Sequence, residues 1–187
     1  MQIGSWRRGK TMAIHKTTTA KEDKDKWATP WWAYHFAQHW FGFPQFDIDC
    51  AASAHNTKCE KFISEEQNAL EGDWDGIYCW LNPPYSNPLQ FVHKAIEQSR
   101  KGRKVAMLLN VDNSTQWFAL CVQCATSIVM ITDGRIPFIH NATGKEVKGN
   151  SKPQMFVLFD YEKWVKRDRK VRTYYVSINR VKQLGTV

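Results

Sequence analysis

An α/β fold with a mostly parallel sheet flanked by helices is what this sequence predicts. Three observations carry that expectation. The runs at 77–81, 105–109 and 155–159 are wholly hydrophobic, as strands buried on both faces must be. Segments of helical length and pattern, 88–99 and 114–124, alternate with apolar runs, and strands alternating with helices build parallel sheets. The 187 residues are 43% hydrophobic, enough for one domain with a sizeable core and too few for two large ones.

The elements follow in order. Residues 1–26 are polar and charged, with Thr17-Thr18-Thr19 and then the stretch from Lys21 to Lys26, and read as a flexible basic arm. Folded structure starts near Trp27. Thr29-Pro30 predicts a helix start, with Thr29 as N-cap and Pro30 in the first turn. An aromatic-rich helix then runs to about Phe41, and Gly42 and Pro44 stop it. Residues 46–52 read as a short strand ending in small residues. Residues 53–76 are polar and have no clear assignment. The run 77–81 leads straight into Asn82-Pro83-Pro84-Tyr85, which continues neither strand nor helix. Asn87 caps a helix over 88–99 that ends at Gly102. A strand at 105–109 and a helix at 114–124 come next. Segments 127–132 and 135–139 are strand-like, 141–152 is a polar glycine-containing loop, and 155–159 is the last core strand. The organisation expected is an arm (1–26), a main domain (27–161) and a basic segment (162–187) packed on or extending it.

Charge is unevenly placed. The formal net charge is +8. Residues 1–27 hold seven Lys/Arg and three Asp/Glu, and residues 162–187 hold eight and two. The interior, 28–161, holds 11 against 13. Basic ends on a nearly neutral body suit a nucleic-acid partner; solubilising tails are the alternative. Nine tryptophans offer further stacking surface. No apolar run approaches the ~20 residues of a membrane span, and no apolar signal core stands at the N-terminus. A cytoplasmic protein with five reduced cysteines is expected. No metal site is expected. Cys121 and Cys124 have no second pair at zinc spacing, and His35 and His39 lack the glutamate of a zinc protease motif.

The chemistry rests on Asn82-Pro83-Pro84-Tyr85. Ligands of open α/β sheets bind at the carboxyl ends of strands, where this tetrapeptide stands. Two prolines hold the flanking groups rigidly. The Asn82 side-chain carbonyl and the Pro83 carbonyl can both accept hydrogen bonds from one NH2 group, and Tyr85 can stack on the ring that bears it. A rigid strand-to-loop turn is the simpler alternative.

This tetrapeptide resembles the catalytic motif of the amino-methyltransferases. Taken with Thr29-Pro30, Phe46-Asp47-Ile48-Asp49-Cys50-Ala51 and Gly134-Arg135-Ile136-Pro137-Phe138, it resembles the phage-type DNA N6-adenine methyltransferases over roughly residues 27–160. The resemblance implies a compact class I (Rossmann-like) methyltransferase fold and a phage or prophage setting. It also implies S-adenosylmethionine as cofactor and double-stranded DNA as partner, with base flipping and direct methyl transfer. By resemblance, Asp49 meets the cofactor's ammonium, with Asp47 second, Thr29-Pro30 lies near its carboxylate, and Asn68 and Asp73 meet its adenosine half. The glycine turn common after the first strand of such folds is replaced by Ala51, Ala52 and Ser53, small enough for close approach. Asp47 and Asp49 alternate on one strand and so share a face. Arg135, after Asp133-Gly134, can reach a phosphate or the target loop, and Lys166, Arg167, Arg169 and Lys170 are further candidates for phosphate contact. Two other readings stay open: the same chemistry on cytosine N4, an RNA base or a protein glutamine, and a non-catalytic DNA-binding module with a degenerate fold. Recognition sequence and oligomeric state are open too.

Overall fold

A computed structural model describes residues 27–140, 143–147 and 151–186. The expected N-terminal arm and parts of the 141–152 loop lie outside them. The elements are β1 (Trp27–Ala28), α1 (Trp31–Phe41), β2 (Ile48–Asp49), β3 (Lys61–Phe62), β4 (Tyr78–Leu81), α2 (Pro88–Arg100), β5 (Lys104–Asn110), α3 (Gln116–Cys124), β6 (Ser127–Thr132), β7 (Ile139–His140), β8 (Gln154–Asp160), α4 (Tyr161–Val165), β9 (Arg172–Ser177) and α5 (Ile178–Gly185). Seven strands form one sheet in the order β3-β2-β4-β5-β8-β6-β9. All neighbours are parallel except β8, which runs antiparallel to both β5 and β6. The predicted mostly parallel α/β architecture is therefore the one observed.

Side-chain alternation along the central strands divides the core in two. On β5, Ala106 and Leu108 join Phe156, Leu158, Val129 and Phe36 in a cluster that α1 and α5 cover. Val105, Met107 and Leu109 join Met155, Val157 and Phe159 under Val92 and Ala95 of α2 and Trp117 and Cys121 of α3. Helix α5 buries Ile178, Val181 and Gly185, the spacing of a one-sided helix. Gly185 is required there: a Cβ would stand 1.8 Å from the Trp32 carbonyl oxygen of α1. Gly42 ends α1 in the left-handed conformation, at φ 74°, as a terminating glycine does.

Several expectations are corrected. Helix α1 is capped by Pro30, whose carbonyl accepts the N–H groups of Ala33 and Tyr34 at 3.0 and 3.3 Å. Thr29 is buried one residue before it and makes no capping bond. Asn87 holds the N-cap position of α2 but does not cap it through its side chain; it donates to Gln90 Oε1 at 2.7 Å. Segment 135–139 is not a strand, because Pro137 has no N–H for a ladder. Ile136 instead donates its N–H to the buried Gln154 Oε1 at 2.9 Å, and pairing resumes only at β7, which meets β1 antiparallel. The strand expected over 46–52 shortens to Ile48–Asp49. The unassigned stretch 53–76 supplies β3 and a series of turns, anchored by fully buried Trp74, whose Nε1–H donates to the Ala69 carbonyl at 2.9 Å. The basic C-terminal segment, expected to pack on or extend the domain and not among these corrections, supplies the end strand of the sheet: β9 pairs with β6 along its whole length, and α5 packs on α1 through Gly185.

Candidate active site

The chain leaves β2 for β3 on one side and then returns to place β4 on the other. The carboxyl ends of β2 and β4 thus open side by side at a switch point, where open α/β sheets bind ligands. Asp49 lies opposite Trp80 there. A pocket occupies the crevice, lined by residues that include Thr29, Asp49, Ala51, Asn56, Lys58, Asn82 and Pro83, with aromatic walls from Trp27, Trp80, Tyr85 and Phe138.

Asn82 is the first residue beyond β4. Its Oδ1 is buried and has no hydrogen-bond partner, an arrangement a folded protein normally avoids. Pro84 closes the turn, with its carbonyl accepting the Asn87 N–H at 3.3 Å. The Tyr85 ring meets Phe138 edge-on, with centroids 6.0 Å apart. Burial pushes the Tyr85 hydroxyl well above the ordinary tyrosine range, so it stays neutral.

Asp49 is 3% exposed. Its carboxylate accepts the N–H of Lys58 at 3.0 Å and that of Ala51 at 3.4 Å. Burial raises its pKa to about 6, with those two hydrogen bonds and the Lys58 charge pulling the other way. The pocket therefore holds a carboxyl group that gains from any cation brought beside it.

The structure brings together Thr29, Asp49, Ala51, Asn82, Pro83 and Tyr85. Other candidates stand elsewhere. Asp47 does not share a strand with Asp49 as expected, since β2 begins at Ile48; it lies just before that strand, where its Oδ2 accepts the N–H groups of Ile77 and Tyr78 at 2.8 and 2.9 Å and staples the start of β4. Pro30 caps α1. Asn68 takes a left-handed φ of 54° in a turn, accepting from Leu70 N–H and donating to Glu71. Asp73 binds Gln98 and Lys101 at 2.9 and 2.5 Å, which hold its pKa down to about 2. Neither lines the pocket. Arg135 is exposed in the loop that carries Phe138. Lys166, Arg167, Arg169 and Lys170 follow α4, beyond Asp160, which pairs with Lys104 at the amino end of β5. That edge is opposite Asn82, which follows Leu81, the partner of Met107, and so stands four residues, roughly 13 Å, along the strand direction from Lys104. Lys166 pairs with Glu162 there at 2.5 Å, and the Arg169 guanidinium lies 5.8 Å from the Trp164 ring.

Sequence reasoning did not assign Trp27, Ala28, Asn56, Lys58, Trp80 or Phe138 to the site. Asn56 and Lys58 lie in a stretch without periodicity, where only folding shows which residues turn inward. Among the described residues, no group of three or more His, Cys, Asp or Glu is placed to hold a metal, and no helix is long and apolar enough to cross a membrane.

The sequence profile of the family described as "DNA N-6-adenine-methyltransferase (Dam)" matches residues 16–187. The chain belongs to that family. Membership places it among the adenine-specific DNA methyltransferases. Two curated relatives carry the same description. The one from Haemophilus phage HP1 is 53% identical over 171 residues, covering 91% of this chain and 96% of its own length. The one from Escherichia phage T1 is 36% identical over 180 residues, covering 88% and 74%. A solved structure of a predicted O-methyltransferase from Agrobacterium tumefaciens aligns with 78% of this chain and 85% of its own at a TM-score of 0.41 and 10% identity.

Proposed function

We propose that this methyltransferase transfers the methyl group of S-adenosylmethionine to N6 of an adenine flipped out of duplex DNA. The buried, unpartnered Oδ1 of Asn82 carries the proposal. A lone acceptor kept dry and fixed by two prolines is suited to a donor that arrives with the substrate. The exocyclic amine of adenine brings two hydrogens, one for Asn82 Oδ1 and one for the Pro83 carbonyl. Holding both tilts the nitrogen lone pair out of conjugation with the ring. Tyr85 supplies a flat face for the base. The base must leave the duplex, because N6 is engaged in pairing there.

The cofactor fits the residues present. Asp49 is a buried acid suited to an ammonium, Ala51 leaves room for close approach, and Thr29 offers a hydroxyl. When bound, S-adenosylmethionine supplies a methyl group made electrophilic by its sulfonium. The N6–carbon bond forms as the carbon–sulfur bond breaks, S-adenosylhomocysteine leaves, and the methylated amine releases one proton to water. The protein's part is mostly positioning. DNA reaching Asn82 lies along the carboxyl edge of the sheet, which makes Arg135 the better-placed phosphate contact among the basic candidates.

Tritium transfer from labelled cofactor tests the reading, with duplex DNA, single-stranded RNA and bulk protein as separate acceptors. Label is expected in duplex DNA, on adenine. Label only in RNA or protein, or on cytosine, overturns it. Asn82→Ala should lower kcat by roughly 10²-fold, the scale of losing one polarising contact in a preorganised site, with cofactor affinity little changed.

A further inference from the structure

Of the residues lining the pocket, only Asp49 and Lys58 are charged. They belong to one hydrogen-bonded loop, since the Lys58 N–H donates to Asp49 Oδ2. The Lys58 side chain then runs out to set its ammonium 4.5 Å from the Trp31 ring centroid. Trp31 is 53% exposed, so this ring is a surface face, and the ammonium rests on it by cation–π attraction, with the Asp49 charge acting from nearby. Among the described residues, no salt bridge ties Lys58 to a carboxylate. Partial burial disfavours its charge, an effect that nearby Asp49 only partly offsets. The pocket rim thus carries a cation in want of an anion, one loop away from an acid in want of a cation.

We propose that Lys58 is the counter-cation for the carboxylate of the cofactor's amino-acid head, so that Asp49 and Lys58 together select a zwitterion. This rests on S-adenosylmethionine being the ligand of the pocket. That head bears an ammonium and a carboxylate on one carbon. Asp49 alone would accept any cation, including polyamine-like analogues that lack the carboxylate. Lys58 adds the requirement for an anion beside it. The lysine stem is flexible and its ammonium is a mobile point charge, so it can leave the Trp31 face for the incoming carboxylate. The opposite charges also keep the pocket near neutral, which suits a ligand whose head is neutral overall.

Calorimetry with the full chain separates this role from a merely structural one, using S-adenosylmethionine and its decarboxylated analogue as probes. Lys58→Met keeps the stem against Trp31 and the backbone N–H to Asp49, and removes only the charge. It should weaken S-adenosylmethionine by about 10-fold, as expected for one partly exposed charged contact. Affinity for the decarboxylated analogue should stay within about twofold, because specificity is a difference of affinities. Lys58→Arg keeps the charge and should hold S-adenosylmethionine within about threefold of wild type. Equal losses for both probes in Lys58→Met, unchanged S-adenosylmethionine affinity, or the same loss in Lys58→Arg overturns the proposal. If wild type binds the decarboxylated analogue as tightly as S-adenosylmethionine, the carboxylate is not read at all. If it binds neither, the cofactor reading of the pocket falls and Lys58's role with it.

Discussion

Asp49→Asn should make the protein more stable and a worse methyltransferase. The folded-state pKa of Asp49 stands at about 6 against 3.8 for the free group. One unit is worth 1.36 kcal/mol, so the ionised carboxylate costs the fold about 3 kcal/mol at neutral pH. The sign follows from proton linkage. The folded state binds more protons than the unfolded chain between these two values, so stability falls as pH rises through that window. Above about pH 6 the full cost is present. Asparagine removes the charge but has one acceptor where aspartate has two, and the two backbone donors at 3.0 and 3.4 Å cannot both be kept, at about 1 kcal/mol. The net gain at pH 7.5 is about 1–2 kcal/mol, or roughly 3–6 °C in Tm for a chain of this size. Urea unfolding of both proteins from pH 4 to 8 measures it. The variant's advantage should grow by about 2 kcal/mol across that range. Calorimetry should show S-adenosylmethionine weakened by about 1.5–3 kcal/mol, the worth of a charged hydrogen bond. In wild type, affinity should fall as pH drops below about 6, because the ligand's ammonium needs the carboxylate ionised. A stability difference that does not change with pH would refute the claim that Asp49 is held against its own charge.

Two further outcomes test other parts of the molecule. Gly185→Ala should destabilise the fold by about 3 kcal/mol or more, since a Cβ 1.8 Å from the Trp32 carbonyl oxygen forces two backbones apart; thermal unfolding checks it, and an unchanged Tm would mean that α5 does not pack as described. DNA affinity measured across salt concentrations should show Arg135→Ala flattening the log–log slope by about 0.9, the loss of one phosphate contact. Neutralising Lys166, Arg167, Arg169 and Lys170 together should change the slope by less than that, because they stand at the opposite sheet edge. A flattening of ~3–4 units in that quadruple variant would instead put the C-terminal segment on the DNA.

The sheet was legible because its central strands are buried on both faces and therefore read as unbroken apolar runs. Strands at 78–81, 104–110 and 154–160 lie within a residue of where those runs predict them, and 127–132 coincides. Failures came where tertiary pairing overrides local pattern. Ile136 and Phe138 alternate as a strand would, yet their alternation buries both against the core while Pro137 denies the segment a ladder and Gln154 takes the Ile136 N–H. Thr29 has the chemistry of a cap, but β1 ends immediately before it and holds it inward, leaving the proline carbonyl to start the helix.

The site shows the same division between local and distant causes. Asn82 to Tyr85 could be found because two prolines after an apolar strand is a local oddity with few structural uses. Asp47 and Asp49 could not be separated, since an i, i+2 pair shares a face in any strand. What separates them is position along the sheet: β2 is so short that Asp47 meets the first residues of β4 while Asp49 meets the crevice beyond its last. The basic residues divide between the two sheet edges for a related reason. Charge counting locates cations in sequence, but a strand running antiparallel to its neighbours reverses the edge at which the chain emerges. Because β8 runs antiparallel, the lysines and arginines that follow it emerge at the amino edge, and Arg135, which follows β6, emerges at the carboxyl edge that also carries Asn82. The direction of one strand thus decides at which sheet edge each basic segment emerges, and no local pattern in the sequence states that direction.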